Sequence, residues 1–211
     1  GEFMARAHAR TLDRGQPEAK ERACAYWNQN LRAIQLEHVY TICFAESARG
    51  RELALDAAVM AEVNALKAKY LGYSFDELDR FALCHGDFHP GGVMVRGGSV
   101  KVIDPEFTAF APPGLDVGSL MSGLVLAFLF HRQRGLPPAT PAEEEEGALE
   151  LHDALRQLWS SYEAAMLAEG VSAAQLHRVS EDGAGYAMME VVRTALGFAG
   201  ARDPSRRIAD A

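Results

Sequence analysis

No stretch of this chain stays apolar for long enough to cross a bilayer. The most apolar run, Leu115 to Phe130, is interrupted by Asp116 and falls short of the roughly 20 residues that a membrane helix needs. It reads as a buried core helix. Cysteine is scarce. Cys24, Cys43 and Cys84 are odd in number, widely spaced and form no CxxC pair. That argues against a disulfide framework and against a structural zinc site, and fits reduced thiols in a cytoplasmic setting. Positive charge is also short. Lys and Arg total 21 against 29 Asp and Glu, for a net charge of −8. A nucleic acid or an anionic membrane as main partner would demand the opposite balance; a nucleotide, which needs only a local pocket, is not excluded. The opening residues do not read as a signal peptide, no internal repeat stands out, and Gly1-Glu2-Phe3 ahead of Met4 reads as a cloning scar.

What remains is a 211-residue chain with 48% hydrophobic and 24% charged residues, enough for one domain or one lobe of a larger enzyme. Pro17, Glu18 and Glu21 open a predicted helix over 17–35, with Ala23, Tyr26, Trp27, Leu31 and Ile34 at helical spacing. A second helix is expected from about Glu52 to Leu71, ended by Gly72, with Leu55, Val59, Val63, Leu66 and Tyr70 on one face. Pro90-Gly91-Gly92 forces a tight loop. Two β-branched runs, 93–95 and 100–103, then flank Gly97-Gly98 as a hairpin. Asp116 can begin the apolar helix, which ends near His131. Residues 132–147, rich in Pro and Glu, are expected to form a flexible acidic insert, with Glu143 to Glu146 a solvated run. Helices follow over 149–168 and about 185–198. Trp27, Trp159, Met188 and Met189 read as core packing. The order of helices, one hairpin and helices again predicts a mainly α fold with a small β element (α+β) rather than a parallel α/β sheet.

The chemistry gathers around the hairpin. Asp87 precedes it; Asp104 and Glu106 follow it. A hairpin brings its ends together, so Asp87 and Asp104 should be neighbours. Val100, Val102 and Asp104 share a strand face. Glu106 joins them if the chain stays extended through Pro105, as the pre-proline position of Asp104 favours. Converging carboxylates repel unless a cation lies between them, and a hard divalent ion such as Mg²⁺ suits oxygen donors. Phosphoryl transfer uses such a set: one carboxylate for the proton of the attacking hydroxyl, others for the metal.

The segment His85-Gly86-Asp87-Phe88-His89-Pro90-Gly91 resembles the catalytic loop of the aminoglycoside-phosphotransferase and choline-kinase group, relatives of the protein kinases, whose pattern is His-Gly-Asp-x-His-x-Gly-Asn. Asp104-Pro105-Glu106, the stretch VKVIDPEFTAFAPPGLDVGSL around it and the late EDGAGYAMMEVVRTALGFAGARDP are most similar to the methylthioribose kinase family within that group. The resemblance covers most of residues 20–207. It implies the C-terminal catalytic lobe of a protein-kinase-like fold over residues 4–211, using ATP and Mg²⁺. The reaction it implies is transfer of the γ-phosphate to the 1-hydroxyl of 5-methylthioribose in methionine salvage. By motif position Asp87 would be the base, Asp104 and Glu106 the metal ligands, and Asp116 a brace for the catalytic loop. His85 and His89 would shape that loop, and Arg193 would contact substrate or phosphate.

Two departures accompany the resemblance. Gly92 stands where the group has Asn and methylthioribose kinases can have Ser, so a second metal would rely on Glu106, water or phosphate. Arg193-Thr194 stands where the family tends to have two arginines. No Gly-rich phosphate loop and no strand Lys with a helix Glu partner occurs. These belong to an N-terminal nucleotide lobe, so the chain is expected to start at or after the hinge, with MARAHARTL opening the second lobe and the C-terminal RIADA cut inside a helix. Such a fragment would be inactive alone. Alternatives are a silent pseudokinase or binding module, a kinase of another small alcohol, and a metal-dependent phosphohydrolase, suggested by Gly86-Asp87-x-His89. His85 and His89 have a zinc-like HxxxH spacing, but Gly86 and Pro90-Gly91 argue against the helix that spacing needs.

Overall fold

A computed structural model describes residues 1–13, 17–71, 80–133 and 140–199. The described chain is mostly helical with two small antiparallel ladders, the mainly α arrangement expected from the order of patterns. It opens with α1 (Glu2–Thr11), which takes in residues 2 and 3. The predicted 17–35 helix is two helices, α2 (Ala19–Ala25) and α3 (Gln29–Tyr40), broken at Asn28 with φ 32°. Asparagine tolerates the left-handed region, and the break rotates the second half. The face of α3 that is buried therefore carries Arg32, Val39 and Tyr40, while Tyr26 and Ile34 are exposed.

Short helices α4 (Ile42–Ala45) and α5 (Ala48–Leu53) follow. The next helix, α6 (Ala57–Leu71), starts later than its pattern predicts because the Asp56 carboxylate caps it, accepting from Ala58 and Val59 N–H. Leu55 therefore lies outside it and is exposed, whereas Val63, Leu66 and Tyr70 are buried. Gly72, its expected terminator, lies outside the described residues.

The strands are nested. β1 (Ala82–Cys84) pairs with β4 (Ala109–Ala111), with Leu83 opposite Phe110. Between them sits the hairpin of β2 (Val93–Arg96) and β3 (Ser99–Val102). Gly97 and Gly98 both have positive φ, as a tight two-residue hairpin turn requires. The outer pair is not legible as strands: each is three apolar residues long, with no polar residue to mark an alternation.

Three long helices complete the fold: α7 (Gly114–Gln133), α8 (Pro141–Ala168) and α9 (Ala173–Ala195). Thr140 and Glu143 form a reciprocal capping box that starts α8, so the acidic run of the expected insert lies in a helix from Pro141 onward. Residues 134–139 of that insert, and the C-terminal segment from 200, lie outside the described residues. Helix α9 begins at Ala173, well before its expected start near 185, behind a second capping box of Ser172 and Gln175. Met189 is buried but Met188 is 61% exposed, so the pair splits between core and surface.

Helices α7 and α9 cross closely through glycine. A Cβ on Gly118 would stand 2.4 Å from Gly183 O and 2.7 Å from Ala187 N. One core lies beside this pair against α1 and α8, around Met4, Val117, Tyr162 and Met166. The other lies against α3 and α6, around Tyr40, Leu66, Tyr70 and Tyr186. Among the described residues no helix is long and apolar enough to cross a membrane.

Two substitutions separate close packing from propensity. Gly118→Ala should lower unfolding free energy by about 1–3 kcal/mol through overpacking. Gly147→Ala on α8, where a Cβ meets only Phe128 at 3.6 Å, should raise it by about 0.5–1 kcal/mol. Urea unfolding of both variants is the check.

Candidate active site

The nested ladders set two loops side by side. One runs from Cys84 to Val93 and carries His85, Asp87 and His89; the other runs from Val102 to Ala109 and carries Asp104 and Glu106. Ile103 N–H donates to Gly92 O at 3.0 Å, extending the inner ladder by one bond. The Ile103 carbonyl accepts from His85 Nε2 at 2.9 Å. The loops touch again at Gly86, where φ is +85° and a Cβ would fall 2.1 Å from the Phe107 carbonyl oxygen. Glycine is required there twice over, by conformation and by space.

His85 has a self-consistent tautomer. Its Nδ1 accepts from Asp87 N–H at 3.4 Å, leaving Nε2–H to donate to Ile103. His89 caps the 3₁₀ turn Pro90–Gly92 by accepting Gly91 N–H on Nδ1. Its Nε2 lies 3.8 Å from Asp87 Oδ2. The Asp87 side chain is 30% exposed, half in and half out of solvent.

Asp104 departs from the expected extended conformation. Its φ is +65°, and the chain turns at once into the 3₁₀ turn Pro105–Phe107, closed by the Thr108 hydroxyl donating to Pro105 O at 2.7 Å. The pre-proline clash works against the right-handed α region, but the left-handed region remains open to a short polar side chain. The reversal is what lets β4 return to β1. Asp104 and Glu106 both end exposed at the hairpin base, and Glu106 O accepts from Asn28 Nδ2 at 2.9 Å.

The carboxylates of Asp87, Asp104 and Glu106 do not close into a tight trio. Among the described residues the one group of potential ligands lying within 4.8 Å of one another is His8, Cys84 and Asp116. That group is a hydrogen-bonded network rather than an ion site. Asp116 Oδ2 takes His85 N–H at 2.7 Å and His8 Nε2 at 3.1 Å, and Oδ1 takes Gly86 N–H at 2.9 Å. His8 Nδ1 meets the Tyr162 hydroxyl at 3.0 Å. Burial pushes the Cys84 thiol well up, so it stays protonated and donates to Ala111 O at 3.4 Å. A thiol, not a thiolate, is a poor metal ligand.

Asp116 sits in the first turn of α7 but does not cap it; its side chain reaches out to the 85–86 backbone. It is 1% exposed. Stripping water from a carboxylate costs several kcal/mol, and three hydrogen bonds to a charged group, worth about 1.5–3 kcal/mol each, offset that. His8, with Tyr162 behind it, is a site residue that sequence reasoning missed. It stands 108 positions from its partner, and no spacing rule connects them.

Arg193 stands apart on α9. Its Nε donates to Glu190 Oε2 at 2.6 Å, and the two side chains are 14% and 10% exposed. Burial pushes the Glu190 carboxyl above its ordinary range while Arg193 opposes the rise. A small cleft beside Glu190 is lined by Gln35, Tyr40, Tyr70 and Tyr186. Gln35 leads back to the loop: it donates to Gly86 O and accepts from the Tyr70 hydroxyl, both at 2.5 Å.

For a hard divalent cation the donor chemistry fits. Asp87, Asp104 and Glu106 offer only oxygen, and the last two are open to water. Gly92 adds no donor, yet packing does not demand glycine there, since a Cβ would meet only Ile103 O at 3.4 Å.

Comparison with known proteins gives the chain's family. Residues 1–140 match the phosphotransferase enzyme family. Methylthioribose kinase of Pectobacterium carotovorum subsp. carotovorum (strain PC1) is 30% identical over 223 residues, taking in 96% of this chain and 54% of that protein. Methylthioribose kinase of Yersinia pestis (strain Pestoides F) is 29% identical over 229 residues, with the same shares. The chain spans about half the length of these curated relatives. A solved glucosamine kinase (crystal form B) superposes with a TM-score of 0.49 and 20% identity, over 99% of this chain and 51% of that one.

Two outcomes follow from the buried carboxylates. Asp116→Ala should destabilise the fold by about 3–5 kcal/mol, because it strands two backbone N–H groups and a histidine; urea unfolding reads this directly. For Glu190 the sign is opposite to that of most carboxylates. Its raised folded value stabilises the fold below the unfolded value near 4.5, and that stability is lost as pH rises through the folded value. Glu190→Gln removes the loss, so the stability of the wild type relative to this variant should fall as pH is raised from about 4 in a series of unfolding curves.

Proposed function

The chain belongs to the phosphotransferase enzyme family, and on that premise we propose that it is the catalytic lobe of an ATP- and Mg²⁺-dependent kinase of a small sugar, with 5-methylthioribose as acceptor. The observation that carries the reading is the anchoring of the Asp87 loop, through Asp116 and Ile103, beside the segment bearing Asp104 and Glu106. The methylthioribose kinases that match nearly the whole chain support the acceptor.

In this reading Asp87 accepts a hydrogen bond from the sugar 1-hydroxyl and orients its oxygen toward the γ-phosphorus of ATP. As the new O–P bond forms, the bond to the β–γ bridging oxygen breaks. The hydroxyl proton passes to Asp87, and ADP leaves. Asp104 and Glu106 would hold a Mg²⁺, which would supply charge neutralisation at the phosphate oxygens. His89, on the same loop as Asp87, and His85, bonded to Ile103, keep that carboxylate in place. Arg193 serves the acceptor side, with Glu190 fixing its orientation. A preceding nucleotide lobe supplies the other half of the ATP site, and the enzyme works in the cytoplasm.

A second reading, a nucleotide-binding module without turnover, draws on Gly92. That position offers no ligand although a Cβ there would meet only Ile103 O at 3.4 Å.

The test is acceptor-dependent ADP release by the full gene product with Mg·ATP and 5-methylthioribose, choline and an aminoglycoside serving as controls. Turnover should require methylthioribose, and Asp87→Ala should lower it about 10²–10⁴-fold. Gly92→Ser should fold normally and tighten Mg²⁺ binding by calorimetry. Turnover with a control acceptor alone overturns the substrate assignment. Mg·ATP binding with no turnover on any acceptor favours the silent module.

A further inference from the structure

The residue before the proposed base is held at every polar backbone atom. Gly86 N–H donates to Asp116 Oδ1, and Gly86 C=O accepts from Gln35 Nε2. On the far side of the same peptide bond, Asp87 N–H donates to His85 Nδ1. The two side chains that grip Gly86 are each backed by a tyrosine. Tyr70 OH donates to Gln35 Oε1 and so sets which end of the amide faces Gly86. Tyr162 OH meets His8 Nδ1, whose Nε2 in turn meets Asp116 Oδ2.

We propose that His8, Tyr162, Gln35 and Tyr70 are positioning residues: two tyrosine-backed hydrogen-bond chains, arriving from opposite cores of the lobe, clamp the Gly86 peptide and thereby aim the Asp87 carboxylate. The proposal rests on the reading of Asp87 as the base.

Chemistry decides the direction of each chain. A carboxylate only accepts, so His8 presents Nε2–H to Asp116, and in the neutral imidazole Nδ1 is the acceptor. Tyr162 is fully buried and supplies the matching donor. Its burial pushes the hydroxyl far up, so it keeps the proton that it donates to Nδ1. Asp116 therefore selects the histidine tautomer, and the tyrosine satisfies the nitrogen that this choice leaves as an acceptor. Tyr70 is likewise buried, beneath the stacked Arg32 guanidinium, whose carbon lies 4.7 Å from its ring centre. The left-handed φ of Gly86 and the contact with Phe107 leave the peptide one orientation. A loop so constrained is a means of holding a base to the tolerance that transfer demands, where a shift of about 1 Å costs on the order of 10²-fold in rate.

The experiment measures kcat and KM on the full gene product, with exchange of the 84–88 amides followed by mass spectrometry. Tyr162→Phe and Gln35→Leu keep side-chain volume while removing a donor. Each should lower kcat about tenfold, leave both KM values within about twofold, and speed amide exchange at 84–88 without changing exchange in α8. His8→Gln, whose amide nitrogen stands near the position of Nε2, should retain most of kcat, and His8→Leu should not. Unchanged kcat in Tyr162→Phe and Gln35→Leu, in a protein that Asp87→Ala inactivates, overturns the clamp. Equal losses in His8→Gln and His8→Leu overturn the donor role of His8. A wild type inert toward every acceptor overturns the kinase reading instead, and unchanged exchange at 84–88 in Tyr162→Phe would then overturn the clamp on its own.

Discussion

One buried carboxylate organises this fold. Asp116 is almost wholly removed from water, and its burial is tolerated only because two backbone N–H groups and a histidine converge on it. The requirement is reciprocal. Those N–H groups belong to a loop whose backbone has left the strand and has no ladder partner, so without the carboxylate they would be buried donors with nothing to bond. Desolvation thus couples the start of α7, the middle of α1 and the Asp87 loop into one unit. Where Asp87 stands follows from that coupling.

The second constraint is topological. Nesting one hairpin inside another places both loops of the site at the same end of the ladders, and the chain can do this only by reversing sharply at Asp104. A left-handed residue, a proline and a 3₁₀ turn achieve the reversal. The consequence is electrostatic as well as geometric. Asp104 and Glu106 are left in solvent at the hairpin base, where like charges are screened and remain available to a cation. The glycine crossing of α7 and α9 gives the same fold its rigid floor, since close backbone approach leaves little freedom to slide.

Much of this was legible in the residues themselves. The Gly97-Gly98 hairpin, the long helices, the loop at Pro90 and the three carboxylates around the hairpin all carry local signals: positive-φ glycines, helical apolar spacing, and acidic residues at strand ends. The misses share a cause. The break at Asn28, the late start of α6 at Asp56 and the early start of α9 behind Ser172 are decided by single capping or left-handed residues, which leave the apolar spacing intact on either side. An apolar periodicity was therefore extended too far in one helix and begun too late in another. The outer strands are invisible because three apolar residues in a row, as in each of them, carry no polar alternation.

The sequence by itself determined the chemistry: which oxygens, imidazoles and glycines are present, and that they cluster around one hairpin. It could do so because short-range spacing and turn-forming residues are written locally. Only the tertiary structure decided what holds that chemistry in place. His8 reaches Asp116 across 108 positions and Tyr162 across 154, and Gln35 reaches Gly86 across 51. Such pairs have no signature in a single chain, because a hydrogen bond depends on where two elements pack and not on how far apart their residues are written.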